Sequence, residues 1–153
     1  MSEAISCSVG GVAYDRIVAS ITGDGAMAGL APEAIVDDGL PDLAGIRVLI
    51  CEDEPMIGYD IAMTVEEAGG SPIGPFASVA DALHALADGM PDGAILDVNL
   101  IDGDVTPVLV KLFEGGVPLV VNTGTRIPEE LESMDVRVFI KPTKPEVLIR
   151  CIA

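Results

Sequence analysis

The stretch that decides the fold is GAILDVNL, residues 93–100. In it an apolar run is followed by Asp97 and, two residues later, by Asn99. Ala94, Ile95 and Leu96 do not alternate with polar residues, which is typical of a strand covered on both faces. Strands of this kind occur in parallel sheets that carry helices on both sides. Asp97 follows the run directly, so we expect it at the carboxyl end of the strand, where open α/β sheets bind their ligands.

The same pattern recurs on both sides of this stretch. Four other runs have strand character: IRVLI (46–50), SPIGPF (71–76), VPLVVNT (117–123) and VRVFI (136–140). Five segments with helical character alternate with the strands: 56–70, 78–89, 104–116, 128–134 and 144–153. This alternation predicts an α/β fold, a flavodoxin-like doubly wound sheet of five parallel strands in the order 2-1-3-4-5.

The first 45 residues have a different composition. They are rich in Gly, Ala and Asp, show no sustained hydrophobic period, and contain one arginine against seven acidic residues. Such a segment buries little apolar surface, so we interpret residues 1–45 as an acidic, flexible extension. Residues 46–153 are then the folded domain.

Overall charge and hydropathy narrow the class of protein. The formal net charge is −17, with 25 acidic and 8 basic residues, which argues against sequence-independent nucleic-acid binding through phosphates. No apolar run approaches the roughly 18 residues of a membrane span, and the N-terminus lacks the pattern of a secretory signal. We therefore expect a soluble, cytoplasmic protein with no nucleic-acid partner and no membrane association.

Polar residues gather where the predicted strands end. Glu52 and Asp53 follow the first strand, Asp97 the third, Thr123 ends the fourth, and Lys141 follows the fifth. Carboxyl ends of parallel strands share one edge, so these side chains should converge. Three close carboxylates repel one another, and a divalent cation relieves that repulsion. Oxygen ligands with room for water indicate Mg²⁺.

The position of Asp97 suggests what this edge does. A carboxylate on the central strand, between the metal site and Lys141, can attack phosphorus and form an acyl phosphate. Lys141 would pair with the transferred phosphoryl oxygens, and Thr123 would donate a hydrogen bond to another. Placed cations and donors stabilise the charge that spreads over these oxygens in phosphoryl transfer.

Four motifs carry a family resemblance. VLICEDEP (48–55), AILDVNL (94–100), VVNTG (120–124) and FIKP (139–142) resemble the signatures of response-regulator receiver domains, in the family's order. The resemblance covers about residues 46–153. It implies a module of two-component signalling that takes phosphate from a histidine kinase or a histidine phosphotransfer protein.

The resemblance also implies a role for each matching residue. Asp97 is the phosphoacceptor, Thr123 the switch hydroxyl and Lys141 the lysine that senses phosphate. Magnesium is assigned to Asp53 and Asp97 as direct ligands, to Glu52 through water, and to the backbone carbonyl of Asn99. The side chain of Asn99 could instead control the access of water to the phosphoryl group.

Two features depart from the family pattern. Val138 stands where the family carries an aromatic switch residue, and the helix after Thr123 is expected to be short. Together with the NTG after strand four, these features resemble stand-alone receivers with a Phe-Ala-Thr-Gly motif. Here Val121 and Asn122 replace the Phe and Ala, and Thr125 follows the Gly.

We therefore predict a signalling protein that is not an enzyme beyond its own phosphorylation and dephosphorylation. We expect no output domain after the last helix, and we therefore expect the signal to leave through contact with an unknown output protein. One alternative is an interaction module with the receiver fold that does not use phosphate, which Val138 and the short helix favour. Another is a phosphohydrolase, but Asn99 stands where such enzymes carry a second acid.

Overall fold

The computed structural model describes residues 8–9, 12–13 and 39–153. Ser8–Val9 and Val12–Ala13 form a short antiparallel pair. The flexible extension predicted for residues 1–45 falls mostly on residues outside the described ones, and the domain boundary after residue 45 stays a prediction.

Five strands form one sheet. They are β1 (Arg47–Cys51), β2 (Ser71–Phe76), β3 (Gly93–Leu96), β4 (Leu119–Thr123) and β5 (Arg137–Ile140). All neighbouring strands are parallel, and their order is β2-β1-β3-β4-β5. The predicted flavodoxin-like α/β fold and its strand order are confirmed.

Five helices connect the strands. They are α1 (Pro55–Glu67), α2 (Val79–Ala87), α3 (Thr106–Glu114), α4 (Glu129–Glu132) and α5 (Pro145–Arg150). Helix α4 has only four residues, as the short spacing after Thr123 predicts. Within the described ranges, none of the helices has the length and apolar composition that a membrane crossing requires.

The core consists of two apolar layers, one on each face of the sheet. Alternate strand residues point to opposite faces, so Ile50 and Ile95 pack with α1 and α5, whereas Leu49 and Leu96 pack with α2, α3 and α4. All four of these side chains are buried. Burial on both faces explains why residues 48–51 of β1 and the whole of β3 are continuously apolar.

The start of α2 is held by two residues. Ser78, the N-cap, accepts a hydrogen bond from the backbone N–H of Asp81 at 3.1 Å. Asp102 accepts two more, from the N–H groups of Val79 (2.6 Å) and Ala80 (3.1 Å). Asp102 lies at the turn of a small hairpin that pairs Asn99–Leu100 with Gly103–Asp104.

The packed structure includes residues that precede β1. Leu43 is fully buried in the layer beneath α1 and α5, and its N–H donates to the carbonyl of Ala68 at 2.8 Å. The segment just before Ile46 is therefore anchored to the end of α1. A single leucine among Gly and Asp residues gives no periodic signal for this contact.

Truncation of a core residue tests the layer under α3. Leu109 is fully buried, so we expect Leu109→Ala to lower the free energy of unfolding by about 2–5 kcal/mol through lost burial and the remaining cavity. Urea unfolding followed by circular dichroism measures this. Lys111→Ala on the exposed side of the same helix is the control. Equal effects of the two substitutions would contradict the assigned helix face.

Candidate functional site

The register of β1 and β3 brings three acidic side chains to one edge. Cys51 pairs with Leu96, so the next residues, Glu52 and Asp97, emerge side by side from neighbouring strands. The N–H of Asp97 donates to the carbonyl of Cys51 at 2.8 Å, which fixes this arrangement. One carboxylate oxygen from each of Glu52, Asp53 and Asp97 lies within 4.8 Å of the other two. The structure thus brings together the three acids that the sequence placed at this edge.

Lys141 reaches the same cluster from the far side. Its Nζ donates to Asp97 Oδ2 at 2.9 Å and to Glu52 Oε1 at 2.9 Å. The Lys141 side chain is 16 % exposed, whereas those of Glu52 and Asp97 are 2 % and 6 % exposed. One largely buried ammonium group therefore forms ion pairs with two buried carboxylates.

Burial and charge set the protonation of this group. Burial raises the pKa of Glu52 to about 7, and the nearby charge of Asp97 adds to this, while hydrogen bonds from Lys141 and the Glu54 N–H act in the opposite direction. Burial also acts to lower the pKa of Lys141, but its bonds to Glu52 and Asp97 outweigh this and raise that pKa above its ordinary value. Lys141 is therefore charged at neutral pH, while Glu52 titrates there.

The donor set fits a hard divalent cation. Three carboxylates face one ammonium group, so negative charge is in excess when all are ionised. Asp53 is half-buried and keeps an exposed side. Carboxylate oxygens with access to water are the ligands that Mg²⁺ prefers. The acidic cluster could therefore hold such an ion.

Thr123 and Asn99 are joined through a residue that the sequence did not single out as functional. Thr123 is buried, and its Oγ1 lies 3.2 Å from both the backbone N and the Oγ1 of Thr125. Asn99 Nδ2 donates to the same Thr125 Oγ1 at 2.6 Å. The only sequence signal for Thr125 was its place directly after the Thr-Gly pair.

Two positions depart from the pattern of the family that the motifs resemble. Val138 is half-buried and packs against the layer beneath α2, α3 and α4. Asn122 is 3 % exposed, and its Oδ1 has no hydrogen-bond partner among the described residues. Neither residue supplies an aromatic ring next to Thr123, so any signal must be transmitted by other groups.

Comparisons with known proteins give a clear result at the level of structure. No protein-family model matches the sequence, and a search of curated proteins finds no match. The solution structure of SdrG from Sphingomonas melonis Fr1 is similar, with 31 % identity, a TM-score of 0.60, and coverage of 74 % of this chain and 100 % of that one. A BeF3-activated conformation of SdrG, given as from Pseudomonas melonis Fr1, has 33 % identity, a TM-score of 0.56, and 72 % and 98 % coverage.

The response regulator PhyR from Brucella abortus is also similar. It has 28 % identity and a TM-score of 0.61, and the match covers 73 % of this chain. This chain spans about half the length of that protein, because the match covers 47 % of it. Together with the fold, these likenesses show that the chain belongs to the response-regulator receiver domains, as its motifs predicted.

The raised pKa of Glu52 predicts a pH-dependent stability. The group has a pKa of about 7 in the folded protein against an ordinary 4.5, so its contribution to stability is fully present below pH 4.5 and is lost as the pH rises through about 7. Glu52→Gln cannot lose a proton. Its unfolding free energy relative to wild type should therefore increase between pH 5 and 8, by at most about 3 kcal/mol.

Urea unfolding at several pH values, without divalent cations, measures this difference. Glu54→Gln is the matched control, since Glu54 is exposed and two residues away. Its difference from wild type should not change with pH. Parallel curves for Glu52→Gln and wild type would show that the carboxyl group is ionised normally.

Proposed function

We propose that the protein is a phosphoacceptor receiver that takes phosphate from a histidine kinase or a histidine phosphotransfer protein onto Asp97. The observation that carries this proposal is the placement of Asp97. Its carboxylate is buried at the end of the central strand, 2.9 Å from the Lys141 ammonium and beside Glu52 and Asp53. Membership of the receiver-domain family supports the same role.

The chemistry follows from these side chains. A carboxylate oxygen of Asp97 attacks the phosphorus of a phosphohistidine, the P–N bond breaks, and the histidine nitrogen keeps the electron pair. Lys141 already contacts Asp97, so its charge is in place to pair with a phosphoryl oxygen after transfer. Thr123, at the end of the neighbouring strand, supplies a hydroxyl donor. Positioning and charge stabilisation account for the rate of such a transfer.

A magnesium ion completes the site in this proposal. Asp53 and Asp97 would bind it directly, Glu52 through water, and Asn99 through its backbone carbonyl. The ion supplies positive charge for the phosphoryl oxygens during transfer. The surplus of negative charge around Lys141 supports this assignment.

The output is proposed to be contact with another protein. The protein would catalyse only its own phosphorylation and dephosphorylation, and its phosphorylated form would bind a partner that is still unknown. SdrG, with 33 % identity, has a BeF3-activated conformation, which supports a comparable two-state behaviour here. The buried free thiols of Cys51 and Cys151 support a location in the reducing cytoplasm.

Phosphorylation by a small donor tests the proposal. Incubation with acetyl phosphate and Mg²⁺ should add about 80 Da to the wild-type protein, in an acid-stable and base-labile bond. Asp97→Asn should give no adduct, because the amide cannot form the acyl phosphate. Intact-protein mass spectrometry measures both.

Other outcomes would favour the rival functions. No wild-type adduct, with the fold intact by circular dichroism, would indicate an interaction module that does not use phosphate. Continuous consumption of acetyl phosphate without a lasting adduct would indicate a hydrolase. An undiminished adduct on Asp97→Asn would show that another residue accepts the phosphate.

The metal assignment has its own test. We expect Asp53→Asn to raise the Mg²⁺ concentration for half-maximal phosphorylation by at least about tenfold, because loss of even an outer-shell partner of a metal ligand costs about 10- to 100-fold in affinity. A series of Mg²⁺ concentrations at fixed acetyl phosphate measures this. Glu54→Gln, an exposed neighbour, should leave the concentration unchanged. An equal half-maximal Mg²⁺ concentration in wild type and Asp53→Asn would show that Asp53 does not bind the ion.

A further inference from the structure

The side chain of Asn122 lies in the same cross-strand row as two acids of the cluster. The register of β3 and β4 pairs Leu96 with Val121. The next residues, Asp97 and Asn122, therefore lie side by side on neighbouring strands. Glu52 lies beside Asp97 in the same way on β1. Because successive strand residues point to opposite faces, these three side chains share the face that carries α1 and α5.

Lys141 belongs to the same face of the sheet. Asn122 pairs with Phe139 on β5, and Lys141 is two residues beyond Phe139. The N–H of Lys141 donates to the carbonyl of Thr123 at 2.9 Å, so the two chains still run side by side at this point. To contact Asp97 on β3, the Lys141 side chain has to cross β4, where Asn122 lies.

The carboxamide of Asn122 contains an acceptor without a donor. Asn122 is 3 % exposed, and its Oδ1 has no hydrogen-bond partner among the described residues. Such a buried oxygen is costly, and an apolar side chain of similar size would avoid the cost. An amide oxygen can only accept and an ammonium group can only donate, so Asn122 and Lys141 are complementary. Both line one cavity of about 500 Å³ between α1 and the segment after β5.

A divalent cation would displace the Lys141 ammonium group from its present partners. This group lies 2.9 Å from carboxylate oxygens of Glu52 and Asp97, two of the acids that the proposed function assigns to the magnesium site. An ion with two positive charges at these acids repels an ammonium group a few ångströms away. Since the Lys141 side chain is only 16 % exposed, the displaced group needs another acceptor within the protein.

We infer that Asn122 is a positioning residue for Lys141: the Asn122 Oδ1 accepts the displaced ammonium group when a divalent cation binds the acidic cluster. This inference rests on the proposed function, which places magnesium at these acids. The new hydrogen bond holds the charge of Lys141 close to Asp97 and away from the ion. Asn122 thereby contributes to magnesium affinity, although it does not contact the ion.

Variants at Asn122 test the inference with Mg²⁺ alone. Asn122→Val removes the acceptor, whereas Asn122→Thr has the shape of valine and keeps an oxygen that can accept. We expect Asn122→Val to weaken Mg²⁺ binding at least about tenfold, the contribution of a hydrogen bond to a charged group. Asn122→Thr should bind Mg²⁺ more tightly than Asn122→Val. Titrations followed by the NMR chemical shifts of backbone amides, without a phosphate donor, measure the affinities.

Stability without divalent cations separates positioning from structural support. In that state the Asn122 Oδ1 has no partner within the described part of the chain. Asn122→Val should therefore unfold at the same urea concentration as wild type or at a higher one. A residue that simply supports the fold would give a lower unfolding midpoint when it is replaced.

Two controls identify the route of the effect. Thr143→Val removes a hydroxyl group that lines the same cavity and donates to the carbonyl of Ile140 at 3.0 Å, and it should leave Mg²⁺ affinity unchanged. In a Lys141→Met background, Asn122→Val should not change Mg²⁺ affinity further, because no ammonium group is left to accept.

Four results would overturn the inference while the proposed magnesium site stands. They are wild-type Mg²⁺ affinity in Asn122→Val, equal affinities in Asn122→Thr and Asn122→Val, a lower unfolding midpoint of Asn122→Val without divalent cations, and a full effect of Asn122→Val in the Lys141→Met background. A wild-type protein that binds no Mg²⁺ would instead overturn the magnesium site of the proposed function, and the inference with it.

Discussion

The site depends on one ammonium group shared by two buried carboxylates. Lys141 is 89 residues from Glu52 and 44 from Asp97 in sequence, yet it lies 2.9 Å from both. Only the parallel order of β1, β3, β4 and β5 brings these residues to the same edge. Burial raises the pKa of the Glu52 carboxyl group, and its hydrogen bond from Lys141 acts in the opposite direction. The charge balance of the site therefore depends on the strand order of the sheet.

Around Lys141 and its two carboxylates, the two sides of the carboxyl edge of the sheet differ in charge. The acidic side, with Asp53 half-buried, is suited to a cation, whereas the side toward β4 is neutral and made of hydroxyl and amide groups. A transferred phosphoryl group would lie between a charged half and a hydrogen-bonding half. Val138 offers no aromatic ring here, so under the proposed function the neutral half would connect the phosphoryl group to the loops after β3 and β4.

The strands and most of the acidic and basic site residues were predictable because they depend on short stretches of sequence. Largely apolar runs gave the strands, and the first charged residue after the first, third and fifth runs gave Glu52, Asp97 and Lys141. Thr125 and Asp102 were not predictable in their roles, since their partners are set by the path of loops in three dimensions. Leu43 was missed for the same reason: its contact is with the distant end of α1 and leaves no periodic pattern.

The hairpin after β3 is fixed at two points with different partners. Asp102 at its turn holds the first N–H groups of α2, while Asn99 at its base holds Thr125. An insertion or deletion between these residues would pull one of the two anchors away from its partner. Ile101 lies between them, is 73 % exposed and can change without moving either. Natural variation in this loop is therefore expected in the identity of its side chains and not in its length.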